Sequence, residues 1–170
     1  MNMFGNDVNV KAAVVGYPTA QSLSPAMHNA VFQHQNSPSV YVAVDVTVEN
    51  FPEMLNVARK VGLRGLSVTM PHKELAFVSM DRCDALALES QSVNTVVFED
   101  NGQMIGTNTD GDGACAALKD AGAVLQGARC AVLGAGATAR SIVLSLARNG
   151  AADIAVVNRS PENAKSAATL

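Results

Sequence analysis

Residues 130–139 read Cys130-Ala131-Val132-Leu133-Gly134-Ala135-Gly136-Ala137-Thr138-Ala139, and the fold class turns on them. Four apolar residues in a row predict a strand covered on both faces, as in parallel sheets. A GxGxxA loop follows. Ile142, Val143, Leu146 and Ala147 then form a helical apolar stripe that Asn149-Gly150 stops. Ile154-Ala155-Val156-Val157 makes a second, fully apolar strand. Strand, glycine loop, helix and strand in this order form a β-α-β unit of the dinucleotide-binding kind. Gly134 permits the tight turn, Gly136 lets the backbone approach a pyrophosphate, and Ala139 allows the helix to pack closely on the strand. The candidate cofactor residues of the loop are Gly134, Ala135, Gly136, Ala137 and Thr138, where free N–H groups and the helix dipole attract phosphate. A glycine turn with a purely structural role is the alternative.

The end of the second strand selects the nucleotide. An NAD site usually carries Asp or Glu there to accept from the ribose 2′-OH. This chain has Asn158-Arg159-Ser160. A carboxylate would repel a 2′-phosphate, whereas Arg can pair with it bidentately and Ser can donate to it. NADP(H) is therefore favoured over NAD. The competing reading of Arg159 is a solvated loop cation.

Upstream, strand-length and helix-length patterns alternate. Strands are predicted over 11–16, 40–46 and 62–69, and helices from Ser24-Pro25 to His34 and over 51–61. Ser24 is the expected N-cap of the first helix. The stripe of the second is Met54, Leu55, Ala58 and Val61, and Pro71 is expected to start a third carrying His72 and Lys73. Residues 85–90 read as helix, and 93–99 with 104–109 read as a hairpin turning at Asn101-Gly102. A helix over 111–121 ends at Gly122, and 164–170 reads as an unfinished helix. The expected fold class is α/β: an N-terminal domain with a mixed sheet (1–110), a connecting helix (111–122) and the start of a dinucleotide-binding domain (123–170).

The chain has 170 residues, 48% apolar, 16% charged and 4% aromatic, with a formal net charge of -3. It can bury a substantial core. No basic stripe or polybasic run suits nucleic acid or an anionic membrane. No apolar run reaches the ~20 residues of a membrane helix, and no leader pattern marks a secreted protein. Cys83, Cys115 and Cys130 are odd in number and lack a CxxC pair, which argues against disulfides and zinc. Cys130 reads as a core residue. A cytoplasmic protein without a metal is expected.

The polar residues of the first half lie at strand ends and helix starts, where α/β proteins place ligands. Ser22 and Ser24 flank a helix N-terminus and could hold a carboxylate; capping and loop filling are the bland alternatives. Thr69 and Lys73 bracket Pro71. A Lys at a helix start faces the positive end of the dipole, which helps it lose a proton and enter acid–base chemistry, although surface lysines are common there. Asn94 heads a strand, and Asn108-Thr109-Asp110-Gly111 closes the hairpin. His28, His34 and His72 share no ligand spacing. There is no GxSxG elbow, and Ser67 and Lys73 are not spaced as SxxK.

Together these segments resemble shikimate dehydrogenase. The resemblance runs from residue 11 to 163 through Ser22-Leu23-Ser24-Pro25-Ala26-Met27-His28-Asn29, Leu66-Ser67-Val68-Thr69-Met70-Pro71-His72-Lys73, Val93-Asn94-Thr95, Gly106-Thr107-Asn108-Thr109-Asp110-Gly111, the glycine loop and Asn158-Arg159-Ser160. It implies a substrate domain joined to a Rossmann domain, and NADPH-dependent reduction of 3-dehydroshikimate to shikimate on the route to chorismate. By the same resemblance, Ser22 and Ser24 bind the substrate carboxylate, Thr69, Asn94 and Asp110 bind ring hydroxyls, and Lys73 is the acid–base residue that Asp110 orients. Catalysis is thus expected at Lys73 and Asp110, with Ser67 among the substrate contacts. The partners implied are shikimate and 3-dehydroshikimate, and a homodimer is compatible with the family. The chain departs from the family at Ser67, where Asn is usual, and at Asn163, where a second base is common. The family also runs on for about another hundred residues, so a truncated chain is expected, with an unpaired sheet edge. Two alternatives remain: a quinate/shikimate dehydrogenase using NAD, and a shikimate-binding module without turnover.

Overall fold

A computed structural model describes residues 9–170; the first eight residues of the expected N-terminal domain lie outside it. The elements run β1 (Asn9–Gly16), α1 (Ser24–His34), β2 (Ser39–Asp45), α2 (Phe51–Lys60), β3 (Gly65–Val68), α3 (Lys73–Val78), β4 (Arg82–Cys83), α4 (Ala85–Ser90), β5 (Thr95–Phe98), β6 (Met104–Thr107), α5 (Asp110–Asp120), β7 (Arg129–Leu133), α6 (Ala137–Arg148), β8 (Asp153–Val157) and α7 (Pro161–Ala168). The chain is α/β, as expected.

Two compact units form. One takes in the chain through Arg82 together with Thr95–Gly106; the other takes Cys83–Asn94 and Thr107–Leu170. This grouping differs from the chain-order division expected above. Residues 83–94 and 107–122 join the nucleotide-type segment because α4 and α5 both pack on α6.

In the first unit the mixed sheet has the order β2-β1-β3-β5-β6-β4. β1 runs parallel to β2 and β3, and β5 lies antiparallel to β3. The central position of β1 explains its sequence: Ala13, Val14, Val15 and Gly16 are all buried, covered on both faces. Strand order 2-1-3 sends the loops after β1 and β3 in opposite directions, leaving a crevice at their C-terminal ends. α2 covers the sheet with Phe51, Leu55 and Ala58, spaced at helical intervals. Val61, expected on that stripe, follows the helix and is exposed.

The second unit pairs β7 with β8 in parallel through α6, residue for residue from Arg129↔Asp153 to Leu133↔Val157. Val132 packs with Cys115, Leu125, Val143 and Leu146, and Cys130, Ile154 and Val156 adjoin them. The other face is open: Ala131 and Ala155 are exposed, Leu133 is 82% exposed and Val157 54%. The expectation of a strand covered on both faces is thus corrected, since α5 and α6 supply cover on one side only. Cys115, rather than Cys130, is the buried cysteine. The C-terminal helix begins at Pro161, capped by Ser160, instead of at 164.

The α6 face also departs from its apolar reading. Ser141 and Ser145 are fully buried, while Ala147 is exposed. α5 approaches so closely there that a Cβ on Gly111 would overlap the Ser141 carbonyl oxygen. Among the described residues no helix is long and apolar enough to cross a membrane, and no cluster of His, Cys, Asp and Glu could hold a metal ion.

Two glycines of α5 should therefore respond oppositely. Gly111→Ala is expected to cost about 1–3 kcal/mol through overpacking. At Gly113 a Cβ meets nothing within 4 Å, so Gly113→Ala should stabilise by roughly 0.5–1 kcal/mol through helix propensity. Urea midpoints of the two variants check this.

Candidate active site

In the first unit, the ends of β1 and β3 meet at Gly16. A Cβ there would overlap the Thr69 methyl group, and the Tyr17 N–H donates to the Met70 carbonyl at 2.9 Å. The loop after β1 is fastened by Asp45 at the end of β2, which accepts from the Thr19 N–H at 2.7 Å and its hydroxyl at 2.6 Å. Those bonds hold the Asp45 carboxyl below its ordinary value. Their contribution is complete above the normal carboxylate range and fades as pH falls through the lowered native value.

That loop delivers Ser22 and Ser24, both half-buried. The expectation that Ser24 caps α1 is corrected. Ser24 is the first helical residue, the cap position is Leu23, which makes no side-chain cap bond, and the Ser22 hydroxyl accepts from the Ser24 N–H at 3.3 Å. Ser67 on β3 and Thr69 just beyond it are half-buried; the Thr69 N–H donates to the Val15 carbonyl at 2.9 Å. α3 starts at Lys73, not at Pro71, so the half-buried Lys73 occupies its first position. His72 is fully buried, stacks on Phe51 with ring centroids 4.6 Å apart, and lies with Nε2 2.7 Å from the Val46 carbonyl. With the proton on Nε2 donating to that carbonyl, His72 ties the residue before Lys73 to the end of β2.

In the second unit, Asn94 donates to Asp110 Oδ1 at 2.8 Å and to Thr109 Oγ1 at 2.9 Å. The Thr138 hydroxyl donates to Asp110 Oδ2 at 2.9 Å. Asp110 opens α5, where a carboxylate is favoured by the dipole. Both its oxygens are thus oriented, one of them by the glycine-loop helix. Sequence spacing places Thr138 with the nucleotide and gives no sign of this bond.

Asn108 fixes the same turn from beneath. It is 3% exposed. Its amide nitrogen donates to the Ser92 carbonyl at 2.9 Å and the Ser92 hydroxyl at 2.7 Å. Its oxygen accepts from the Ser141 hydroxyl at 2.8 Å and the Asp110 N–H at 3.0 Å. The Gly111 N–H donates in turn to Ser141 Oγ at 2.9 Å. The candidate list drawn from sequence lacks Asn108, because a polar residue in a hairpin end looks like any turn residue until its partners are known.

The glycine loop has the conformation its sequence requires. Gly134 sits at φ +111°, a region closed to side chains, and its N–H donates to the Val157 carbonyl at 2.8 Å. Gly136 is the cap of α6 with no side-chain cap bond, and a Cβ there would meet nothing within 4 Å. Neither packing nor φ therefore demands glycine at 136, whereas close approach of a ligand would. Ala135 and Ala137 are half-buried beside it. At the end of β8, Arg159 is exposed, Asn158 donates to the Ser160 carbonyl at 3.2 Å, and Ser160 accepts from the Asn163 N–H at 3.3 Å as the cap of α7.

A unit with a mixed sheet whose polar residues lie at its strand ends, and a unit built on a parallel β-α-β with a dinucleotide-type glycine loop, define an α/β protein of the dinucleotide-binding fold class. Comparison with known proteins makes this specific. Residues 14–96 match the family model of the shikimate dehydrogenase substrate binding domain, and residues 116–169 match that of shikimate / quinate 5-dehydrogenase. The shikimate dehydrogenase (NADP(+)) of Rubrobacter xylanophilus is 40% identical over 151 residues, 89% of this chain and 53% of that protein. The crystal structure of shikimate 5-dehydrogenase from Thermus thermophilus in complex with NADP(H) and shikimate aligns with TM-score 0.86 and 36% identity, over 94% of this chain and 60% of that one. A 5-ketofructose reductase of Gluconobacter aligns with TM-score 0.84 and 31% identity, over 95% and 57%. The chain belongs to the shikimate dehydrogenase family. It spans about half the length of the curated relatives it matches.

Asn108→Ala should remove the acceptor of the Ser141 hydroxyl proton and the Asn108 donor to the Ser92 carbonyl, at about 1–3 kcal/mol for each group left unpaired. Denaturant unfolding measures the loss, and a change under 0.5 kcal/mol would contradict the network described.

Proposed function

We propose that this chain provides the shikimate-binding region and the first β-α-β unit of an NADP-dependent shikimate dehydrogenase, which reversibly reduces 3-dehydroshikimate to shikimate. In this reading residues 1–110 form the substrate-binding catalytic domain, 111–122 the connecting helix and 123–170 the opening part of the Rossmann domain. The single observation that carries it is the Asp110 carboxylate with both oxygens oriented, by Asn94 and by Thr138 of the glycine-loop helix. A group so held is suited to a ligand with directed hydroxyls. The names of the relatives support the substrate and the cofactor.

Ser22 and Ser24 then receive the carboxylate, with Ser67 beside them, and Thr69, Asn94 and Asp110 receive ring hydroxyls. NADPH, when bound, supplies the hydride that adds to the carbonyl carbon. Lys73 gives the proton that completes the alcohol at the carbonyl oxygen, and takes one back in the reverse direction. Gly134, Ala135, Gly136, Ala137 and Thr138 would hold the pyrophosphate. Asn158, Arg159 and Ser160 would hold the 2′-phosphate, with the exposed Arg159 free to reorient toward it.

Lys73→Ala is expected to lower kcat for 3-dehydroshikimate reduction by about 10²–10⁴-fold while shikimate affinity changes only a few-fold; unchanged kcat would remove Lys73 from the reaction. The quinate and NAD reading is separated by titrating NADPH and NADH side by side. Arg159→Ala should weaken NADPH about 10-fold or more and leave NADH nearly unchanged, since only the former carries the phosphate that Arg pairs with.

A further inference from the structure

The sheet register brings one further side chain to the crevice. Tyr41 lies on β2 opposite Ala12 of β1, and Ser67 lies on β3 opposite Val14 of β1. Ala12 and Val14 are two residues apart, so Tyr41 and Ser67 share one face of the sheet. Their strands are separated by β1, roughly 9–10 Å from backbone to backbone. A tyrosine is long enough to cross that gap over the small Ala12. Its hydroxyl donates to Ser67 Oγ at 2.7 Å.

The phenol is fixed from every side. Tyr41 is 3% exposed. Its ring stacks on His28 at 4.3 Å between centroids with 12° between planes. The Asn29 side chain accepts from the Tyr41 N–H at 2.8 Å and donates to the Tyr41 carbonyl at 2.9 Å. Burial pushes the phenol pKa up, with the hydrogen bond to Ser67 acting the other way. One of the expected ligand-binding serines, Ser67, therefore meets the buried phenol oxygen.

A serine hydroxyl has one proton to donate and can accept twice. When Tyr41 donates to Ser67, the Ser67 proton must point elsewhere, toward an acceptor in the crevice. We infer that Tyr41 is a positioning residue that turns the Ser67 hydroxyl into a donor for the carboxylate of a small ring acid, aligning it with Ser22 and Ser24. Tyr41 does not itself touch the ligand; it acts through Ser67. This rests on the shikimate reading above and adds a residue to it.

The test is calorimetric titration of the 170-residue chain with shikimate, comparing wild type, Tyr41→Phe, Ser67→Ala and the double variant. Each single variant should bind about 10-fold more weakly, the loss of one charge-assisted hydrogen bond, and the double variant should be no weaker than either. Wild-type affinity in Tyr41→Phe, or losses that add in the double variant, would overturn the inference. If wild type itself fails to bind shikimate, the functional reading fails first and takes the inference with it. A second measurement serves should Tyr41→Phe not fold. The chain has two tyrosines and no tryptophan, so in Tyr17→Phe the tyrosine fluorescence reports Tyr41 alone. Shikimate should change that emission, and Ser67→Ala should abolish the change; emission indifferent to saturating shikimate would count against the role.

Discussion

The Asn108 amide is the constraint on which the second unit depends. Its polar bonds link the end of the hairpin, the turn at Ser92 and helix α6. A buried amide left without partners would be costly, and so would the serines it serves. With all of them paired, the start of α5 has one place to sit. That place is where Asp110 meets both Asn94 and Thr138.

The two units solve their packing problems differently. The first buries β1 on both faces and leaves its polar residues at the strand ends, where two loops diverge. Gly16 and the bonds of Asp45 to Thr19 keep those loops close. The second unit packs two helices against each other through Gly111, so tightly that serines replace larger apolar residues. Its two strands stay apolar on both faces while only one is covered, and Leu133 and Val157 remain exposed.

Within each unit, the polar residues are held before any ligand is present. In the first unit Ser67 is held by a buried phenol and Ser22 accepts from the Ser24 N–H; in the second Asn94, Thr109 and Asp110 form a closed set of bonds. Preorganised donors of this kind cost little to reorganise when a ligand binds.

The α/β class, the order of elements and the glycine loop were legible from residue pattern, because apolar periodicity and glycine placement act locally. Apolar strands 130–133 and 154–157, the Asn101-Gly102 turn and the required positive φ at Gly134 are all of this kind. The candidate site residues were chosen from their places at strand ends and helix starts, a pattern that is also local. Tertiary structure alone decided the rest. Ser24 lost its capping role to the geometry of the preceding loop, and Ser141 and Ser145 turned inward. Asn108 and Tyr41 became central through partners 33 and 26 residues away in the chain. A buried polar side chain is stable only when distant segments supply its hydrogen bonds, and periodicity within a segment carries no record of what lies opposite it.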